Sequence, residues 1–302
     1  MKILFLGSSR FSKIVLEKLI NSKHEIIAVV TQPDRPSGRG CKLIAPEIKN
    51  YAQSKGFRVL QFEKVNHNID EIFSLEFDLF VTASFGQILS REFLSKKMGL
   101  NVHPSKLPKY RGPTPLQTAL LNGDTKTSVT IQKMEYEVDS GDILLCEDVE
   151  INDDDDFLTL EEKTANLGGS LLVKALDLIE KKEEVFKKQN SLYATYTKMI
   201  RKEDGFLDFN NSADNIVNKI RAISENPGCY FFIKDDRIKV KKARICREIK
   251  CESNQIEIRN KRFFIGSKDY AVEILKCQAP NGKVLDTKDF LNGYKFLSNK
   301  VN

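Results

Sequence analysis

This chain of 302 residues contains no tryptophan and only three histidines, His24, His67 and His103. Histidines so few and so dispersed give no basis for a metal centre, which needs several ligands drawn from one constellation. The six cysteines, at 41, 146, 229, 246, 251 and 277, form no CxxC pair. That spacing argues against a disulfide framework or a zinc site and for a reducing cytoplasm. No apolar run approaches the roughly 20 residues that cross a bilayer, so no membrane association is expected. The apolar run in Met1–Gly7 is too short for a signal peptide and reads as a first strand. The turn after it, Gly7-Ser8-Ser9-Arg10-Phe11, lacks the GxGxxG spacing that a dinucleotide pyrophosphate requires, which weighs against a nicotinamide oxidoreductase.

What is present is ordinary in amount and uneven in placement. Hydrophobic residues make up 41% and charged residues 30% of the chain, as in a typical globular protein, and the length suffices for two domains with separate cores. Residues 1–189 hold 26 Lys+Arg against 28 Asp+Glu, whereas residues 190–302 hold 22 against 14, a net of +8. A basic second part attracts polyanions such as nucleic acid, although a lysine-rich solvated surface has the same composition.

The first half alternates strand and helix signals. Apolar, β-branched runs at Lys2–Gly7, Ile26–Val30, Arg58–Leu60, Asp78–Ala83 and Gly99–His103 are separated by helical spacing such as Phe11, Ile14, Val15, Leu19 and by a helix over Pro46–Lys55. This rhythm predicts a mostly parallel sheet covered by helices, with Val129–Lys133 and Ile143–Val149 as later strands. The run Asp153–Asp156 reads as the capped start of a helix over Phe157–Ile179 rather than as a metal site. Beyond it lie an amphipathic helix, Ser212–Ile223, and five short β runs between Tyr230 and Leu275, the pattern of a small barrel or sandwich. The boundary falls at residues 190–204, with one domain over 1–189 and another over 205–302. No internal repeat is visible.

Two segments carry chemistry. Asn101-Val102-His103-Pro104-Ser105 places an amide two residues before an imidazole at a strand's carboxyl end, where ligands gather in such sheets. Asp139-Ser140-Gly141-Asp142 offers carboxylates from another loop. An Asn hydrogen-bonds a developing oxyanion, a His donates or shuttles a proton, and an Asp orients and charges that His. Together they equip a site for acyl transfer without a covalent intermediate. The plain alternative is a set of turn residues satisfying backbone groups. The second segment, Thr31–Leu43, contains Arg35, Arg39 and Lys42 with Gly38 and Gly40. Such a loop cannot bury itself and is expected to be mobile and able to meet phosphates.

These segments, with Leu100–Pro115, Phe85–Leu89, Val138–Leu144, Tyr196-Thr197-Lys198, Ile220-Arg221-Ala222 and Asn226-Pro227-Gly228, follow one another as they do in the methionyl-tRNA formyltransferase family, which the chain resembles along its whole length. The HPSKLPKYRG-type loop points to folate-dependent formyltransferases, and the QPDRPSGRG loop to the tRNA-directed member. The resemblance implies a Rossmann-like, mostly parallel formyltransferase domain followed by a small OB-like β-barrel domain that binds tRNA. It implies that Asn101, His103 and Asp139, rather than Asp142, are the catalytic trio. Ser105, Lys106, Leu107 and Pro108 match the family's folate-contacting stretch. Phe85, Gly86, Gln87, Ile88 and Leu89 match its pterin-pocket segment, and Arg35, Arg39 and Lys42 lie in its tRNA-facing loop. The implied formyl donor is 10-formyltetrahydrofolate, and the implied partner is initiator methionyl-tRNA, met by a cytoplasmic monomer without a metal. Alternatives of related chemistry are a sugar-nucleotide or purine-pathway formyltransferase, and of another class a non-catalytic RNA-binding relative. Lys106 stands where the family usually has an apolar residue, Cys41 where it often has Lys, and Pro113-Thr114-Pro115 where Ala-Ala-Pro is commoner. Asn226-Pro227-Gly228 lacks the family's neighbouring Trp.

Overall fold

A computed structural model describes residues 1–37, 42–294 and 301. Arg39 and Cys41 lie outside the described residues. In chain order the elements are β1 (Lys2–Gly7), α1 (Arg10–Ile20), β2 (Glu25–Thr31), β3 (Arg35–Ser37), β4 (Lys42–Ile44), α2 (Glu47–Ser54), β5 (Val59–Gln61), α3 (Ile69–Phe73), β6 (Leu79–Ala83), α4 (Arg91–Lys96) and β7 (Gly99–His103). There follow α5 (Pro115–Leu121), β8 (Lys126–Lys133), β9 (Ile143–Glu150), α6 (Phe157–Lys181), α7 (Ala213–Ile223), β10 (Cys229–Ile233), β11 (Asp236–Cys246), β12 (Ile256–Arg259), β13 (Arg262–Gly266), β14 (Ala271–Gln278), β15 (Val284–Asp286) and α8 (Thr287–Gly293). They form two compact units. The first comprises Met1–Pro115, Lys126–Glu150 and Glu161–Thr197, and the second Leu116–Thr125, Ile151–Leu160 and Lys198–Asn302.

The first unit is built on a seven-stranded sheet in the order β5-β2-β1-β6-β7-β8-β9. Strands β5 to β7 run parallel, and β8 and β9 are antiparallel additions. Ile3–Leu6 and Leu79–Val81 are buried without alternation, because apolar clusters cover both faces of the parallel strands. On one face Phe80 meets Phe93 edge to face at 5.2 Å. Gly99 opens β7 where a Cβ would lie 2.2 Å from the Phe80 ring, so only glycine lets the strand pass.

From β1 the chain builds outward to β2 and β5, then returns to β6 and β7 on the other side, and that reversal marks where ligands bind in such sheets. Each flagged segment leaves a carboxyl end on this edge: residues 32–45 after β2, Phe85–Leu89 after β6, and Pro104 onward after β7. Ser8, at the end of β1, ties two of them. Its hydroxyl donates to Phe85 O at 3.1 Å and accepts from Gln32 N at 3.1 Å.

The segment expected to be an open loop is partly a hairpin. Arg35–Ser37 pairs antiparallel with Lys42–Ile44. Ladder hydrogen bonds order these arms, and Asp34 beneath them accepts from Lys49 Nζ at 2.7 Å and Gln61 Nε2 at 2.8 Å. The Asp153–Asp156 run does cap a helix: Thr159 N donates to Asp156 Oδ1 at 3.0 Å.

The second unit is antiparallel and β-rich, with strand order β10-β11-β14-β13-β12 and β15 beside β14. It is the small OB-like unit expected from the sequence. Helix α7 starts at Ser212, whose side chain accepts from Asn215 N, and buries Ile216, Ile220 and Ile223. On β11 the side chains of Arg237, Lys239, Lys242 and Arg244 are exposed while Ile238, Val240 and Cys246 are buried. This alternation puts part of the second half's excess charge on one strand.

Candidate active site

Strand β7 sets the core of the site. Asn101 and His103 are two residues apart and therefore share a face. Antiparallel register places Gln132 of β8 opposite Asn101 and Thr130 opposite His103. The Asn101 carbonyl oxygen Oδ1 accepts from Thr82 Oγ1 at 2.8 Å, which fixes the amide so that Nδ2 points toward Asp139 Oδ1, 3.2 Å away.

Asp139 is the hub. Its Oδ1 also accepts from Gln132 Nε2 at 2.9 Å, and its Oδ2 accepts from Gly112 N at 2.8 Å. His103 Nδ1 stands 3.6 Å from Oδ2, an ion-pair distance, and His103 Nε2 donates to Tyr110 O at 3.0 Å. With a carboxylate on one side and a carbonyl on the other, both ring nitrogens face acceptors, an arrangement that a doubly protonated imidazole satisfies. His103 is 4% exposed. Asp139 holds a left-handed backbone, φ 49°. At Gly141 a Cβ would lie 1.9 Å from Lys133 O, so this turn can lie against β8 only with glycine there.

Asp142 does not join the cluster. Its carbonyl oxygen accepts from Lys133 N at 2.9 Å in the ladder beside the turn.

The Ser105–Pro108 stretch lies against the same strands. Ser105 Oγ donates to Lys109 O, and Thr130 Oγ1 donates to Ser105 O, both at 2.6 Å. Lys106 turns away along β9, where Nζ donates to Asp148 Oδ1 at 3.0 Å. Hydrogen bonds from Ser128 and then from Lys106 hold the Asp148 carboxyl below the usual carboxylate range. The Lys106 side chain thus faces an exposed ion pair, and the backbone is what this residue presents to the loop.

Gln87, Ile88 and Leu89 line a cavity of about 160 Å³ together with Leu94, Gln132, Met134, Tyr136, Val138 and Asp139. Phe85 is buried beneath them, and Gln87 is anchored by donating to Phe62 O at 2.8 Å. Apolar walls edged by amides and by the charged Lys133, Glu135 and Asp139 suit a planar heterocycle with a polar edge.

The basic loop is placed in part. Arg35 is in an exposed bidentate pair with Glu63 (Nη2–Oε2 2.7 Å). The backbone of Lys42 pairs with Ser37 in the hairpin. Among the described residues no group of His, Cys, Asp and Glu is arranged to hold a metal ion, and no helix is long and apolar enough to cross a membrane.

Sequence reasoning missed Gln132, Arg111, Tyr110 and Gln189. The last three come from the segment after β7 and from the strand-like return after α6, where Arg111 bridges to Tyr196. A register prediction for β7 and β8 is the signal that would have found Gln132.

The profile of the formyl transferase family matches residues 1–176, and that of the formyl transferase C-terminal domain matches residues 199–295. The chain is 38% identical over 306 residues to methionyl-tRNA formyltransferase from Sulfurihydrogenibium sp. (strain YO3AOP1), covering 98% of this chain and 97% of that protein. The chain belongs to the methionyl-tRNA formyltransferase family. Another relative, the methionyl-tRNA formyltransferase of Citrifermentans bemidjiense, is 36% identical over 98% of this chain and 94% of its own. Among solved structures, the N-formyltransferase from Helicobacter canadensis in complex with folinic acid and dTDP-3-aminofucose superposes with a TM-score of 0.70 at 22% identity, covering 91% of this chain and 98% of that one. HypX from Aquifex aeolicus in complex with tetrahydrofolic acid gives 0.69 at 18% identity, over 96% of this chain and 47% of its own. These two distant likenesses speak for the fold, while the formyl transferase match over residues 1–176 takes in the sheet that carries Asn101 and His103.

Proposed function

We propose that this chain transfers the formyl group of 10-formyltetrahydrofolate to the α-amino group of methionyl initiator tRNA, preparing that tRNA for translation initiation. The observation that carries the reading is the convergence of Asn101, His103, Gly112 and Gln132 on the carboxylate of Asp139 at the carboxyl end of β7. Asn101 has one amide hydrogen on Asp139 and a second to give. It donates to the oxyanion that develops on the formyl carbonyl. His103, charged and oriented by Asp139, adds a proton donor once it exchanges the Tyr110 carbonyl for substrate. Asp139 Oδ2, or a water it holds, helps accept the proton that the attacking amine loses, and N10 of the folate takes up a proton as its bond to the formyl carbon breaks. The bound folate supplies the formyl group, and the cavity at Gln87–Leu89 with the Ser105–Pro108 loop would hold it. Arg39 and Lys42, with Arg35, meet tRNA phosphates, as does the basic second domain, taken as residues 205–302 after a linker at 190–204. The chain acts as a cytoplasmic monomer.

The test supplies 10-formyltetrahydrofolate with Met-tRNA, an amino-sugar nucleotide or glycinamide ribonucleotide in parallel. Formylation of Met-tRNA alone is expected. Preferential formylation of either other acceptor sinks the reading.

A further inference from the structure

Arg111 is 2% exposed, yet among the described residues its guanidinium meets no carboxylate. Its side-chain partners are neutral: Gln189 Oε1, at 2.7 Å from Nη2 and 3.1 Å from Nε, and the Tyr196 hydroxyl at 3.3 Å. A buried cation without an anion is costly unless its charge is answered nearby. The answer lies two amides away. Gln189 Nε2 lies 3.2 Å from Gln132 Oε1, and Gln132 Nε2 donates to Asp139 Oδ1 at 2.9 Å. Guanidinium, amide, amide and carboxylate stand head to tail.

Gln189 has no freedom in this chain. Arginine has no acceptor, so the amide oxygen must face Arg111. Its Nε2 then donates to Asp139 O at 2.8 Å and Gly141 O at 2.7 Å. These two bonds hold the carbonyls of the turn whose first residue has the left-handed backbone. Gln132 is polarised in the same sense, its oxygen facing Gln189 and its nitrogen facing Asp139.

We propose that Gln189 is a positioning residue of the formyl-transfer site: oriented by buried Arg111, it pins the Asp139–Gly141 turn and, through Gln132, sets the carboxylate that His103 and Asn101 use. The inference rests on the reading given under Proposed function. A direct bidentate Arg–Asp pair would also occupy Oδ2, the oxygen that faces His103 and Gly112. Two intervening amides deliver the same polarity and leave Oδ2 to His103.

The variant is Gln189→Glu, of equal shape. Ionised, it keeps an oxygen for Arg111 but turns the other against two carbonyl oxygens and Gln132 Oε1. Protonated, it donates one hydrogen there where the amide gives two. The expected result is a kcat at least 30-fold below wild type near neutral pH, with KM for Met-tRNA within threefold. The deficit should narrow as pH falls toward 5.5, measured relative to wild type at each pH. A merely structural role would lower thermal stability and leave the kcat of the folded fraction and its pH profile as in wild type. That outcome overturns the inference. Should Gln189→Glu not fold, Gln189→Met takes its place, with the kcat loss expected and no recovery at low pH. A wild-type chain that fails to formylate Met-tRNA sinks the functional reading and this inference with it. An active wild type with unaltered kcat in the variants sinks the inference alone.

Discussion

Replacing Asp139 by Asn removes one charge and one acceptor from a site where every neighbour is a nitrogen. Oδ1 faces Gln132 Nε2 at 2.9 Å and Asn101 Nδ2 at 3.2 Å, and Oδ2 faces Gly112 N at 2.8 Å and His103 Nδ1 at 3.6 Å. With its new NH2 at the Oδ1 position, the amide opposes two donors, and Gln132 cannot turn without opposing Gln189. At the Oδ2 position the NH2 donates to a neutral His103 Nδ1 and strands only the Gly112 N–H. That second arrangement is the cheaper, at about 1–3 kcal/mol for one buried unsatisfied donor, so the fold survives. Its chemical effect is larger. His103 is fixed neutral, with its proton on Nε2 against Tyr110 O, and the imidazolium is lost. Loss of one preorganised donor raises such barriers by about 3–4 kcal/mol, or about two to three decades in kcat at ~1.36 kcal/mol per decade. The assay is the initial rate of formyl transfer to Met-tRNA at saturating donor, with thermal unfolding recorded beside it. A folded variant whose kcat stays within threefold of wild type would refute the assignment of Asp139.

Other perturbations test the surroundings. Glu63→Gln releases Arg35 from its exposed pair at a stability cost within about 1 kcal/mol; KM for Met-tRNA should fall and its salt slope steepen by about one, and no change in either removes Arg35 from the tRNA surface. Gly99→Ala drives a Cβ to 2.2 Å from the Phe80 ring, an overpacking worth about 1–3 kcal/mol, visible as a lower Tm; an unchanged Tm contradicts the close passage of β7. Lys106→Leu, restoring the family's usual apolar residue, should leave KM for folate within twofold because the side chain faces Asp148; a tenfold shift shows that it reaches folate instead. Burial, followed by a nearby N-terminal ammonium, holds His24 below the ordinary histidine value. The unfolded chain then takes up that proton first, so stability is full above about pH 6.5 and declines as pH falls through the depressed folded value. His24→Gln should flatten the urea-midpoint slope between pH 7 and 5, and equal slopes in both proteins reject the buried neutral ring.

The parallel strands were legible because burial on both faces leaves nearly uninterrupted apolar runs, and Gly99–His103 matches β7 residue for residue. The β3–β4 hairpin was not. Its arms are three residues each and carry Pro36 among charges, so hydrophobic alternation never accumulates. Helices α3, α4 and α5 span five to seven residues, too short for a helical period to register. In the site, Asn101 and His103 were readable because two-residue spacing in a strand fixes a shared face. Gln132 and Gln189 were not, since their roles depend on the β7–β8 register and on the chain's return after α6, neither of which is written in local pattern.

The same distinction explains what kind of site this is. Asp139 accepts from Gly112, Gln132 and Asn101 through neutral N–H groups, and among the described residues only His103 can bring it a charge. Three neutral donors hold the carboxylate's direction without neutralising it, so its negative charge stays beside the imidazole. Had Arg111 occupied Gln132's place, the carboxylate would have been equally well held but would have shared its charge with the guanidinium. The amides therefore separate two tasks that one ion pair would merge: fixing where the carboxylate points, and deciding which group shares its charge.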